Sequence, residues 1–286
     1  MSMALVVYLQ ITAVYILLSW ALYLPFRAGQ FFNGPVYCMA VGAYTAAMLA
    51  KTFGLPFPVV LLAGMLAAMI FALIPAPKLA HVGGFAMTIA TIAIIFIVYA
   101  VLRNVKALGG LTGFFGIPKV DYLLPVSWLI VFLVGIFVYR LEHSRLGRAM
   151  EAIFTDKNLA CAMGVNPVKM SIFLQVASGG ISGLAGVLFA FTMGIIRPVD
   201  FGFGVLLYTW TMMFVGGYQT MWGVVVAAPL LWALTQFLPS QVAEYTNIIF
   251  GIILAAMLLL RPEGLITKRL LQRLANGGRS LKANRA

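Results

Sequence analysis

Charge is what this sequence most plainly lacks. Only 9% of its 286 residues are charged, against about 25% in a soluble domain, which excludes an ordinary water-soluble fold. Acidic residues are scarcest: Asp121, Glu142, Glu151, Asp156, Asp200, Glu244 and Glu263 are all there are, and each falls between apolar runs or at the end of one. A carboxylate buried within a membrane span persists only when it works, as in many ion-coupled carriers. Its absence argues against proton coupling, and more weakly against sodium, because carbonyls and hydroxyls alone can build a sodium site. No G-x-x-x-x-G-K-[ST] phosphate loop occurs. The glycine cluster from Gly109 to Gly116 lacks the lysine. His81 and His143 are far apart, no metal-ligand cluster forms, and no Ser/His/Asp arrangement can be assembled. The reading is therefore of a non-enzyme with no cofactor and no metal. Cys38 lies in an apolar run and Cys161 in a polar one, so no disulfide framework exists.

What the chain has is apolar length. It is 63% hydrophobic, with a mean hydropathy of +1.04. Runs near 3–24, 34–50, 57–76, 85–102, 123–139, 168–195, 203–218, 222–238 and 245–260 approach the roughly 20 residues that span a bilayer core. They do not alternate, which excludes a β-barrel. The expected fold is an all-α polytopic membrane protein of about eight to ten transmembrane helices, some broken or re-entrant where Gly and Pro interrupt them. One transmembrane domain covers 1–266, and a basic cytoplasmic tail covers 267–286. The first run has no basic residue before it and no small-residue cleavage site after it, so it reads as a retained helix.

The formal net charge of +12 does not point to nucleic acid, because of where the cations lie. Arg140, Arg145, Arg148, Lys157 and Lys169 flank one central loop, and seven Lys and Arg from Arg261 to Arg285 follow the last apolar run. By the positive-inside rule both regions are cytoplasmic. Counting spans back puts Arg27 and Lys78 on the same side, Lys51, Arg103, Lys106, Lys119 and Arg197 on the other, and the N-terminus outside. The tail is expected on anionic lipid headgroups.

The central loop, Ser144 to Asn166, carries local signals of its own. A short helix fits Leu141 to Phe154, with apolar pairs at spacing four, Ala149 with Ile153 and Met150 with Phe154. Thr155 or Asp156 caps a second helix running to about Met163. Gly164 stops it. Asn166 caps the next membrane helix, with Pro167 at its first position. From the residues alone two readings stand: a knob that fills a groove on a soluble motor, with Arg148, Glu151 and Lys157 at its rim, or a solvated helix pair joining two spans.

Several segments together resemble a known family. Arg27-Ala28-Gly29-Gln30 with Gly42-Ala43-Tyr44-Thr45-Ala46-Ala47, Leu111-Thr112-Gly113-Phe114-Phe115-Gly116-Ile117-Pro118, and Gly147-Arg148-Ala149 through Asp156, Ala160, Gly164 and Asn166 are three. Ser178 to Ala190, then Gly216-Gly217 with Gly223 and Arg261-Pro262-Glu263-Gly264-Leu265, complete the order. They resemble the permease subunits of branched-chain amino acid ATP-binding-cassette importers and their urea and amide relatives. The resemblance implies a permease that works by alternating access in the bacterial inner membrane. It also implies a second related permease, two cytoplasmic ATPase subunits and a periplasmic solute-binding protein as partners. It assigns ATPase coupling to Gly147, Arg148, Ala149, Glu151, Asp156, Ala160, Gly164 and Asn166. Gly29, Gln30, Asn33, Gly34 and Tyr44 are the expected solute path. Two stretches depart from the family pattern: Phe31 to Tyr37, and the external segment, which has Phe114-Phe115 and one glycine fewer. If the first lines the path, the solute need not be a branched-chain amino acid, and the aromatic insertion points to a narrower or more apolar route. A passive small-solute channel and a sodium-coupled carrier are the alternatives. Gly179, Gly183 and Gly186 form a small-residue stripe expected to pack helices.

Overall fold

The computed structural model describes residues 3–237, 245–260 and 264–265. The tail expected over 267–286 lies outside them. Every apolar run named above forms a helix, and the chain is an all-α multi-pass membrane protein. In order come α1 (Met3–Phe26), α2 (Gly34–Thr52), α3 (Phe57–Leu73), the single turn α4 (Ala76–Leu79), α5 (Gly84–Asn104) and α6 (Leu123–His143). Then follow α7 (Arg145–Thr155), α8 (Lys157–Ala162), α9 (Pro167–Met193), α10 (Phe203–Gly216), α11 (Met221–Phe237) and α12 (Thr246–Leu260). By length and composition α1, α5, α6, α9 and the stretch Pro198–Gly216 suit a bilayer crossing. Helices α3, α11 and α12 are shorter apolar ones.

Burial separates centre from periphery. A helix apolar all round is a buried helix, and α1 and α9 are 72% and 67% buried over their apolar windows, against 22% for α5 and 33% for α6. Helix α9 packs on α1, α2 and α3, while α10, α11 and α12 form a second group that α1 joins to the first. Lipid tails are as apolar as leucine, so helices associate here by close packing of small residues and by hydrogen bonds. A Cβ on Gly42 of α2 would lie 2.6 Å from the carbonyl oxygen of Gly183 in α9, and Gly179 and Gly186 meet α3 and α2 as closely. The stripe is thus a backbone-to-backbone seam. Side chains tie α1 to its neighbours: Ser178 Oγ of α9 donates to the Ala21 carbonyl at 2.6 Å and Trp20 Nε1 to the Met221 carbonyl at 3.0 Å. Tyr8 donates to the Pro229 carbonyl at 2.7 Å.

The described strands are two residues each. β1 (Phe114–Phe115) pairs antiparallel with β2 (Ile195–Ile196), Phe114 opposite Ile196. Lys51 Nζ donates to the Phe115 carbonyl at 2.8 Å and sits 4.8 Å from the Phe114 ring centre. The end of α2, the α5–α6 connection and the end of α9 therefore meet at one end of the bundle. The α7–α8 hairpin forms a knob at the other, beside Arg27 and Gly29.

Candidate functional site

Capping chemistry builds the knob. Ser144 Oγ accepts from Leu146 N at 3.1 Å and Gly147 N at 3.4 Å, ending α6 and starting α7. The first helix of the loop therefore begins at Arg145, a correction to the expected start at Leu141: Ser144 is extended, and its hydroxyl replaces the missing helical partners. Asp156 Oδ1 accepts from Asn158 N and Leu159 N at 2.8 and 3.1 Å and caps α8. Gly164 ends that segment at φ +82°, a left-handed conformation that glycine adopts without a Cβ penalty. Asn166 Oδ1 accepts from Lys169 N at 3.0 Å and caps α9, with Pro167 at its first position. Gly147 is needed because α7 folds back on α6, where a Cβ would overlap the Glu142 carbonyl.

The apolar pairs divide between two faces. Met150, Ile153 and Ala160 are buried, while Phe154, Leu159 and Met163 are 51%, 59% and 74% exposed. A cleft of about 280 Å³ between α7 and α8 is lined by Arg148, Glu151, Ala152, Thr155, Leu159, Ala160 and Met163. Exposed apolar side chains rimmed by charge are the kind of patch that meets a protein or a membrane surface.

The knob is seated on the connection between α1 and α2. Glu142, in the last turn of α6, accepts from the Tyr23 hydroxyl at 2.9 Å and lies 3.8 Å from Arg27. The Phe154 ring lies beside Gly29. Ser171 Oγ donates to Gln30 Oε1 at 3.0 Å and accepts from Gln175 Nε2 at 2.9 Å. Gln175 itself is fully buried, with Oε1 unpartnered among the described residues. A cavity of about 260 Å³ lies between Gly29, Gln30, Gly84, Phe154, Lys157 and Ser171.

The expected path residues are therefore not brought together. Gly29 lies beside Phe154 of the knob, and Gln30 bonds Ser171 near the start of α9. Asn33 is 1% exposed and held in a network: its backbone N–H and Nδ2 donate to Thr91 Oγ1 at 3.3 and 3.2 Å, and its Oδ1 accepts from Trp210 Nε1 at 2.9 Å. Gly34 packs on the Phe32 ring. Tyr44 is buried towards the far end, beside Phe201, its hydroxyl without a partner among the described residues. Phe31 stacks on Trp210 and meets Phe26 edge-on, and Phe32 meets Tyr37 edge-on.

A cavity of about 570 Å³ lies at the far end, and none of those five residues lines it. Its walls include Ile11 and Tyr15 of α1, Phe189 of α9, Asp200, the start of α10, Tyr208, Trp232 and Asn247. Sequence reasoning missed this assembly because its walls come from seven separated segments. The Arg197 and Asp200 spacing was the one available signal.

Comparison with known proteins places the chain. The family described as branched-chain amino acid transport system / permease component matches residues 4–258. The high-affinity branched-chain amino acid transport system permease proteins LivM of Salmonella typhimurium and Escherichia coli K12 are each 29% identical over 262 residues. These alignments cover 79% of this chain and 61% of theirs. The chain thus spans about three-fifths of the length of those LivM relatives. A probable branched-chain amino acid transport permease protein LivH of Methanocaldococcus jannaschii is 27% identical, covering 79% of both chains. No solved structure matches. The chain belongs to the branched-chain amino acid transport system permease family.

Proposed function

We propose that this chain is the membrane-spanning permease subunit of an ATP-binding-cassette importer for branched-chain amino acids or related small polar solutes, amino acids, amides and urea among them. In this reading the knob end faces the cytoplasm, and the chain sits in a bacterial inner membrane with its C-terminus cytoplasmic. It pairs with a second related permease, takes its solute from a periplasmic binding protein, and receives motion from two ATPase subunits that hydrolyse the nucleotide.

One observation carries the reading. A rigidly capped hairpin presents Phe154, Leu159 and Met163 outward and is itself anchored, through Glu142, to Tyr23 and Arg27 at the end of the central helix α1. An ATPase groove that closes on those side chains moves α6 and α1 together, and the bundle rocks between two access states. The family match and the absence of a phosphate loop support the same division of labour.

The test is reconstitution with the neighbouring ATPase subunits, the partner permease and the binding protein. The expected result is solute accumulation against a gradient that requires ATP and is lost when the ATPases are omitted. Uphill uptake by the permease alone, or passive equilibration that ignores ATP, would overturn the proposal in favour of a carrier or a channel.

A further inference from the structure

Helix α1 carries a proline in its last turn, and another helix closes what the break leaves open. Pro25 lies inside α1. It has no N–H, so the carbonyl of Ala21, four residues back, loses its helical donor. Within a membrane a freed carbonyl needs a partner, and a serine hydroxyl can serve. Ser178 of α9 does so, its Oγ donating to the Ala21 carbonyl at 2.6 Å. Ser178 is fully buried.

Beyond the break the chain is bonded to itself. Arg27 N donates to the Tyr23 carbonyl at 3.0 Å, and Gly29 N to the Phe26 carbonyl at 2.9 Å. Ala28 N and Gln30 N donate to the Pro25 carbonyl at 3.0 and 3.1 Å. Gly29 turns the backbone at φ +71°. Residues 23–30 thus form a compact cap on α1. The cap is held from outside by other helices. Tyr23 and Arg27 reach Glu142 of α6, and Gln30 accepts from Ser171 of α9. The Phe26 ring meets Trp210 and Phe214 of α10 edge-on, with centres 6.0 and 5.5 Å away.

Ser171 and Ser178 are seven residues apart, about two helical turns, so they share one face of α9. Helix α9 therefore holds both sides of the break: Ser178 grips the body of α1 at Ala21, and Ser171 grips the cap at Gln30. Sharp bends in helices concentrate at prolines. Hinges absorb a change at a few residues near an element's end. Pro25 supplies such a place between the body of α1 and the part that Glu142 holds.

We propose that the cap, residues 23–30, is a hinged element of the transport cycle, with Pro25 as its hinge and Ser178 as the positioning residue that keeps cap, α1 and α9 in register. The proposal rests on the importer reading and deepens it. When the knob moves, Glu142 draws on Tyr23 and Arg27, and the cap pivots. The body of α1 stays packed in the bundle. Ser178 acts through the Ala21 carbonyl and touches no solute.

The experiment uses the complete wild-type complex, with its ATPases, partner permease and binding protein, in lipid nanodiscs. Hydrogen exchange read by mass spectrometry compares the nucleotide-free complex with one trapped by ATP and orthovanadate. Exchange should change in peptides covering residues 23–30 and stay constant in those covering 8–20. The second arm measures solute taken up per ATP hydrolysed, in proteoliposomes. Ser178→Ala lowers that ratio about fivefold, the scale of one net hydrogen bond. Pro25→Ala returns an N–H to position 25, which gives Ala21 a helical donor again. It stiffens the hinge and lowers the ratio less. The double variant matches Pro25→Ala, so the second change repairs part of the first. A hydroxyl that only fills space costs the same factor in both backgrounds. Gel filtration checks assembly, and the exchange arm needs no variant, so it decides the hinge even where a variant fails to assemble. Exchange that changes equally along α1, or nowhere in a complex that transports with ATP, overturns the proposal. A wild-type ratio in Ser178→Ala, or equal fractional losses in the two backgrounds, does the same. Each of those results leaves the importer reading standing. Uptake that ignores ATP defeats the importer reading instead.

Discussion

At the knob end, polar side chains hold backbone: Ser144, Asp156 and Asn166 each close a helix terminus, and Glu142 ties two helices together. At the far end, Tyr15 and Trp232 stand around open space, and α10 starts uncapped. The apolar surface is reversed as well. The knob turns Phe154, Leu159 and Met163 outward, whereas the far end turns Ile11, Met39 and Ile95 inward onto a void. In the proposed importer, the region that would transmit force has fixed termini and an apolar exterior, and the region that borders open space has unmet hydrogen-bonding capacity. The contrast teaches that the two ends treat the same kinds of residue in opposite ways.

The sharpest way to break this contrast is Gly147→Leu. The side chain would collide with the Glu142 carbonyl, and forced overpacking costs about 1–3 kcal/mol. ATP-driven uptake should fall to background while membrane insertion persists. Loss of both together would show that the ends are not separable. Next in size is Glu142→Ala, which strips Arg27 and Tyr23 of their shared acceptor. Hydrogen bonds to charged groups contribute about 1.5–3 kcal/mol, and that range applies to the Tyr23 bond, while Arg27 stands 3.8 Å from Glu142, beyond hydrogen-bond distance. The thermal unfolding midpoint in detergent should drop, and an unchanged midpoint would mean the tie contributes nothing. The smallest effect belongs to Asp156→Ala, the loss of one cap at about 1 kcal/mol. It should lower retention of the ATPase subunits on affinity purification and leave membrane insertion intact. Full retention would remove α8 from the docking surface.

The knob was legible in the sequence because capping is local. Asp156, Gly164 and Asn166-Pro167 announce their roles within four residues of themselves, and the structure gives each that role. Only the start of α7 was misplaced, since helix-compatible residues on both sides of Ser144 hide a break that one serine hydroxyl creates. The apolar runs were legible as helices for the same local reason. The seating of the knob was not. Glu142 meets Tyr23 across 119 residues of chain and Ser171 meets Gln30 across 141, and no spacing rule encodes such pairs. Nor was the cavity, because in a chain with 21 Phe and 11 Tyr nothing in the order of letters says which rings border a space and which fill one. Asn33 shows the converse. Its place in a glycine-rich break suggested a solute contact, yet Thr91 and Trp210 occupy its amide.

Helix α9 starts where the hairpin leaves off, at Pro167, and runs without interruption to Met193, whose side chain borders the far chamber. Its 27 residues amount to a push-rod ~40 Å long, clamped along its middle by glycine contacts with α2 and α3. In the proposed importer, a tilt at the hairpin would displace the chamber wall with no intervening relay, the stroke set by the lever arm and its timing by whatever grips the handle.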